Sequence, residues 1–522
     1  VRLFLCRLAK LSKSQAPAVF CWGLFFNTGN NLGNSEVNTD MSQRNVVRDW
    51  ARLLYFFSQN FISLLGVVLT TSSAITLIAF WLYDFILPGP PHPYVGILLF
   101  LLLPGFFVLG LLLIPVGILL RRRKLLATGE VPMSYPEIDL KLPMVRNSMI
   151  FVALASFLNV LIFGFASYRG VSYMDSTTFC GQTCHTVMQP EFSAYQNSPH
   201  GRVECVQCHI GPGAGWFVRS KLSGLRQVYA VTFKTYSTPI PSPVKYLRPA
   251  RDTCEQCHWP QRFSGDKFVM RTNYKEDEKN TPLTTALIVK IGGYSRNGSV
   301  GIHGRHLDEG SRIRYISTDD RRQVIPVVYY TDDKGKTVEY ISTDIKVSKE
   351  QLAKGEKRMM DCIDCHNRPT HAFELPENAV DQRMSRGIVS PELPFIRKKA
   401  VELLKVEYPD RDTGKARIVE GINTFYRTSY PEIYNTKRAL VEQSADAVAA
   451  IYLRNIFPDM KVTWGVHPNN IGHNDFPGCF RCHDGSHTSA DGQTISNDCT
   501  ACHNLLAVQE ENPKVLTDLG LK

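Results

Sequence analysis

A chain of 522 residues with 44% apolar side chains is long enough for several domains and too apolar to be disordered. Its formal charge of +11, taken alone, would suit a nucleic-acid or anionic-lipid partner. The 14 cysteines are not scattered: twelve form six pairs, each followed directly by a histidine.

Residues 1–40 read as an upstream extension or a disordered segment. They hold Cys6 and Cys21, the two cysteines outside the pairs, and Met41 opens a more plausible start. A signal peptide over the apolar run Ala18 to Phe26 conflicts with the topology below. A lipid anchor on Cys21 conflicts with the bulk of Phe20. Residues 41–170 read as a membrane domain with three transmembrane helices, about Phe61 to Tyr83, Val95 to Leu120 and Met149 to Ala166. Arg44, Arg48 and Arg52 precede the first span, and Arg121, Arg122, Arg123, Lys124, Lys141 and Arg146 separate the second from the third. The loop between the first two has no Lys or Arg. The N-terminus is therefore expected in the cytoplasm and everything after Ala166 outside.

The first cysteine pair follows at once. Cys180, Cys184 and His185 form C-x-x-x-C-H. Five strict C-x-x-C-H sets follow. They are Cys205, Cys208 and His209; Cys254, Cys257 and His258; Cys362, Cys365 and His366; Cys479, Cys482 and His483; and Cys499, Cys502 and His503. C-x-x-C-H is the attachment signature of c-type haem: both thiols bond the porphyrin, and the next imidazole takes the proximal side of the iron. Chance would supply on the order of 0.01 such matches in this composition. Zinc pairs and disulfides leave the invariable histidine unexplained. Six covalently bound haem c groups are expected. Their propionates, roughly a dozen carboxylates, offset the basic charge, so no nucleic-acid partner is expected.

Residues 171–280 then read as the domain of the first three haems, with an amphipathic helix after the second motif. Residues 281–350, rich in β-branched and aromatic runs, read as a small β insertion in which YISTD occurs twice. Residues 351–375 carry the fourth motif, 376–460 a helical scaffold, and 461–522 a C-terminal pair of haem motifs poor in apolar sequence. The fold class is thus three transmembrane helices followed by a mainly α and irregular haem-packed domain with a β insertion.

Each low-spin iron needs a second axial ligand. The distal candidates are His200, His303, His306, His371, His467, His473 and His487, with Met188 for the first haem. Those within reach of a motif in sequence (His200, His371, His467, His473, His487) are expected first, and His303 and His306 as alternatives to each other.

A membrane span leading into closely spaced motifs, with Met188 just after the first, resembles the NapC/NirT family of membrane-anchored cytochromes, NrfH type included. Among these, the three spans and the added motifs look most like the larger inner-membrane cytochromes of metal-reducing bacteria. The resemblance covers residues 149–260 and the fourth motif, and it implies oxidation of a quinol, menaquinol first. It implies transfer to periplasmic c-type cytochromes or a reductase, in anaerobic or extracellular respiration, with the haem domain on the periplasmic side of the inner membrane. Lys221 would correspond to the family's quinol-site lysine. Asp175, Glu191 and His92 are further quinol-site candidates by their nearness to the outer surface. A terminal reductase for nitrite or a sulfur oxyanion, or an anchoring subunit for a partner reductase, are the alternatives.

Overall fold

The computed structural model describes residues 58–86, 102–129, 141, 143–183, 185–211, 213–244, 247–259, 265–295, 298–307 and 312–521. The expectations for residues 1–40, Met41, Arg44, Arg48, Arg52, His92, Cys184 and the first part of the second span lie outside the described residues.

Among the described residues, three helices are long and apolar enough to cross a bilayer. They are α1 (Phe61–Ile86), α2 (Leu103–Thr128) and α3 (Pro143–Asp175). Their outer faces (Leu64, Leu112, Leu119, Leu154, Phe157) are exposed, as lipid-facing side chains must be. The third apolar span runs Ala153–Asp175, further than the expected stop at Ala166. It carries two late charges, Arg169, whose guanidinium lies over the Phe165 ring at 5.4 Å, and the terminal Asp175.

Lipid tails supply no hydrophobic drive for helix pairing, so α1 and α2 associate through small residues that let backbones touch. Ser63, Gly66 and Thr70 of α1 meet Gly117, Ile114 and Gly110 of α2 in antiparallel register. Ser63 Oγ donates to the Ile114 carbonyl at 3.0 Å. Arg121 at the far end of α2 donates to the Gln59 carbonyl, which ties the basic end of α2 to the start of α1. A Cβ on Gly110 would sit 2.4 Å from Thr70 Oγ1 and 2.7 Å from the Gly66 carbonyl oxygen. Gly110→Leu should therefore cost the hairpin about 1–3 kcal/mol. Lower resistance to SDS unfolding would record it. Gly164→Leu is the control, since a Cβ at Gly164 meets nothing within 4 Å.

Outside the spans, the chain continues through α4 (His185–Gln196) and α5 (Ala214–Thr232) into two larger sheets and a two-stranded one. The first sheet pairs β1 (Lys267–Tyr274) with β2 (Pro282–Val289), and a small hairpin follows, β3 (Gly293–Ser295) and β4 (Gly298–Val300). It leads into the short helix α6 (Gly301–Leu307). The second sheet contains β5 (Arg312–Ser317), β6 (Val327–Thr331), β7 (Thr337–Ser342) and β8 (Glu356–Met359). Both larger sheets take a strand from the C-terminal segment. β9 (His487–Ser489) pairs with β7, and β10 (His503–Glu510) pairs with β2. The strands do not stay within 281–350: β1 precedes it, β8 follows it, and two C-terminal strands complete the sheets. Sequence periodicity marks a strand but not its partner. The two YIST copies flank β6, with Tyr315 and Tyr340 both opposite Val328, so neither lies at a sheet edge.

The helical scaffold comprises α7 (Pro376–Ser385), α8 (Ile396–Leu404), α9 (Arg411–Ser429) and α10 (Arg438–Asn455). Ile396, Leu404, Ile418, Ile422, Val441 and Val448 close its core. No cysteine lies in it. Burial of several such side chains, each worth about 1.5–3 kcal/mol, makes this the most self-sufficient part of the fold. Phe457, Met460 and Val462 at its end pack with Val187 of α4, which joins the scaffold to the first motif.

Candidate haem centres

Each strict motif occupies a tight turn, among them Cys205–His209, Cys362–Cys365 and Cys499–Cys502. Asp361 and Asp364 cap the fourth in a reciprocal box, which fixes the turn ahead of His366. The first motif differs by one residue, and the backbone absorbs it. Phe179–Thr183 winds as a turn of π-helix, wider than an α-turn by one residue. Gly181 within it lies against the Phe192 ring, where a Cβ would approach to 2.1 Å.

The two cysteines of the third motif differ in their surroundings. Cys254 ends the short helix Ala250–Cys254, is half-buried and lies within reach of Cys362. Cys257 falls in the turn just beyond, where its amide donates to the Cys254 carbonyl at 3.1 Å, and it is exposed. Cys208, Cys479 and Cys499 are exposed as well. The spacing of a motif fixes where its second thiol stands relative to the first, whereas burial depends on what other segments pack over it. Cys257 does lie close enough to Cys208 of the second motif to act on it electrostatically, which sets the two turns side by side.

Five motif histidines each face one histidine from elsewhere in the chain. Ring centres are 6.1 Å apart for His209 and His371, and 5.8 Å for His258 and His200. They are 6.2 Å for His366 and His303, 5.7 Å for His483 and His306, and 6.1 Å for His503 and His473. Two metal–imidazole bonds of about 2.0 Å on opposite sides of an ion, plus about 1 Å from each nitrogen to its ring centre, require roughly 6 Å. The residues present therefore fit iron between each pair.

The outer nitrogens agree. His306 Nδ1 donates to the Ile302 carbonyl at 2.8 Å, and His483 Nδ1 to the Ser496 carbonyl at 2.6 Å. His371 Nδ1 donates to the Glu191 carbonyl at 3.0 Å. A carbonyl can only accept, so these rings carry their proton on Nδ1 and present a lone pair on Nε2. Burial holds His209, His303, His306, His366 and His371 below the ordinary imidazole value, which keeps them neutral at pH 7.

Sequence nearness does not select the pairings. His200, between the first and second motifs, faces the third; His371, just after the fourth, faces the second. His303 and His306, expected as alternatives, face two different motifs from one short helix, α6. Neither His467 nor His487 faces a motif histidine among the described side chains. His467 stacks on Phe373 at 5.6 Å, and burial lowers its pKa to about 4. His487 Nε2 donates to the Ile325 carbonyl at 2.8 Å, and its Nδ1 faces Asp484 at 3.1 Å. With a proton on Nε2 it has no lone pair there for a metal. Met188 is half-buried on α4, one turn beyond His185, whose side chain is outside the described set.

The motif turns adjoin one another in chain order. Cys180 and Cys205 lie within hydrogen-bonding reach, as do Cys254 and Cys362. The second motif turn packs on the third. Arg481, inside the fifth motif, donates to the Asp364 carbonyl inside the fourth at 2.6 Å, and Cys479 lies near Cys502. Arg481 and Asp364 escaped sequence reasoning. The one available signal was an ionisable residue in each inter-cysteine position, where nothing in the attachment chemistry asks for one.

Of the quinol-site candidates, two meet. Asp175, at the end of α3, bonds Lys221 of α5 at 2.8 Å. A cavity of about 230 Å³ opens beside them, lined by Asp175, Val206, Ile210, Gly211 and Phe217. Glu191 is elsewhere. Its carboxylate accepts from Arg368 Nη2 at 3.0 Å on both oxygens and lies 3.2 Å from His371 Nδ1.

Residues 143–241 match the model of the NapC/NirT cytochrome c family, N-terminal region. The chain is also 44% identical over 456 residues to the cytochrome c-type protein ImcH of Geobacter sulfurreducens, covering 87% of this chain and 89% of that protein. This chain belongs to the NapC/NirT-type membrane cytochromes c. A more distant relative, the cytochrome c-type protein NrfH of Wolinella succinogenes, is 26% identical over 118 residues, 22% of this chain and 65% of that one. No solved structure matches. Membership accounts for the spans and the attachment motifs together: this is a membrane-embedded electron-transport protein with covalently bound haem c.

Proposed function

We propose that this membrane cytochrome carries six haem c groups, oxidises a quinol (menaquinol first) beside Asp175 and Lys221, and delivers electrons to periplasmic cytochromes or a reductase. In this reading the membrane domain is 41–170, the N-terminus is cytoplasmic and the haem domain lies outside, attached to the inner membrane. The observation that carries the reading is the run of motif turns, adjoining in chain order, that starts at the outer end of α3. Haem c supplies one-electron chemistry when bound; the chain's own groups handle the protons. A quinol ring in the cavity would meet the Asp175 carboxylate, which can take the hydroxyl proton, while the Lys221 ammonium steadies the oxygen left behind. Sites that bury a whole drug-sized ligand hold roughly 300–1,000 Å³. The smaller cavity here suits the ring alone, with an apolar tail left in lipid.

In the same reading His371, His200, His303, His306 and His473 are the distal ligands of the second to sixth haems in turn, opposite the motif histidines. Met188 remains the candidate for the first. Cys254 and Cys257 together hold the third haem, and the exposure of Cys257 leaves its sulfur accessible for that bond. A terminal reductase needs an iron with an open side, and five facing pairs argue against it. Purified holoprotein mixed with a reduced menaquinol analogue should show haem reduction within the mixing time, and no reduction would overturn the proposal. A high-spin ferric signal that shifts with nitrite or cyanide would favour the reductase.

Glu191 is a positioning residue here. A carboxylate beside the outer nitrogen of His371 favours the ferric ion. Second-sphere changes are worth about tenfold or more, and tenfold is about 59 mV for one electron. Glu191→Gln should raise one midpoint potential by on the order of 60 mV in a redox titration and leave the rest in place.

A further inference from the structure

Among the described residues, the apolar face of α5 has no partner. Val218, Leu222, Leu225, Tyr229 and Phe233 are 56%, 65%, 70%, 60% and 63% exposed. Their spacing of four, three, four and four residues sets them in one stripe along the helix. No acidic residue interrupts α5, whereas Arg219, Lys221 and Arg226 all carry positive charge. Arg219 lies over the Trp216 ring at 5.1 Å, and Tyr229 packs on Phe233 at 4.7 Å. Exposed apolar stripes of this length in a water-facing domain mark a surface that something covers.

We propose that α5 lies in the headgroup region of the outer leaflet, as a second and monotopic attachment to the membrane that α3 spans. Three observations select lipid over a protein partner. Lys221 is bonded to Asp175 at the end of α3, so the stripe is continuous with a surface already committed to lipid. The charge is of one sign, which suits phosphate headgroups. Trp216 and Tyr229 bring the amphipathic rings that favour a membrane–water boundary. The attachment fixes the first two motifs at headgroup depth and sets the Asp175 cavity, which Phe217 of α5 lines, level with the lipid. The lipid contact itself does not depend on the quinol reading, and its test reads lipid rather than turnover.

The test is photo-crosslinking of the full holoprotein in nanodiscs of phosphatidylethanolamine and phosphatidylglycerol. p-Benzoylphenylalanine replaces Leu225 in one variant, Phe157 on the spanning part of α3 in a second, and Glu420 on α9 in a third. Leu225 is 70% exposed and Phe157 is 64% exposed, so neither replacement disturbs packing, and the haem spectrum verifies each. Lipid adducts by mass spectrometry are expected at Leu225 at a yield within about threefold of Phe157, and at least tenfold above Glu420. Adducts at Phe157 with a Leu225 yield no greater than that of Glu420 would overturn the proposal. So would adducts from Leu225 to a second copy of the chain or to a co-purified protein.

Discussion

Replacing His306 by alanine should turn the haem of the fifth motif high-spin, and replacing His303 should do the same to the haem of the fourth. The rings face His483 at 5.7 Å and His366 at 6.2 Å respectively, so each variant strips the far side of a different iron. Loss of one of two strong axial ligands leaves a five-coordinate or water-bound ion, with high-spin ferric resonance in place of low-spin. Each single variant should convert one haem's share of the signal, and the double variant the sum of the two. Were the two histidines interchangeable, either single variant would leave every iron low-spin, because the survivor would fill the vacancy. His487→Ala is the control. Its ring is occupied by Ile325 and Asp484, so that variant should lose stability and keep its resonance unchanged. Electron paramagnetic resonance of the oxidised protein separates these outcomes in one experiment.

Lys221→Met and Asp175→Asn should each slow quinol-driven haem reduction by about a hundredfold or more, the usual worth of a positioned proton acceptor or charge at a reacting oxygen. Reduction by dithionite should stay complete in both, since neither residue bears on haem attachment. Stopped-flow spectra with a menaquinol analogue give the first number, and a dithionite endpoint gives the second. Glu191→Gln supplies the contrast. It lies against Arg368 and His371 rather than at the cavity, so it should move a potential and leave the quinol rate within about threefold. Equal slowing by all three would mean that the cavity beside Asp175 is not where the quinol reacts.

The two predictions draw on different kinds of information. Lys221 was singled out by the family resemblance, and Asp175 by its nearness to the outer end of the third span. Their bond was not legible in the chain, since 46 residues separate them. Glu191 looked equally eligible by position. The structure turns its carboxylate toward Arg368, a residue 177 places away, and no local pattern announces such a partner.

The attachment motifs, the three spans and the helical scaffold were determined by sequence alone, because their signals are local. A thioether pair and its histidine sit within five or six residues, a span is a run of apolar side chains, and a helix repeats every 3.6 residues. The extra residue in C-x-x-x-C-H was equally visible, and the π-turn over Phe179–Thr183 supplies its backbone meaning. Tertiary structure alone decided which motif turns lie side by side. It also decided which histidine faces which motif. A distal ligand need only reach one metal from the far side, and any loop long enough can deliver it, so closing that loop costs nearly the same for many candidates. Packing therefore chose His371 over His200 for His209, and sent neighbours His303 and His306 to different motifs. For the same reason two C-terminal strands, β9 and β10, complete sheets begun more than 100 residues earlier.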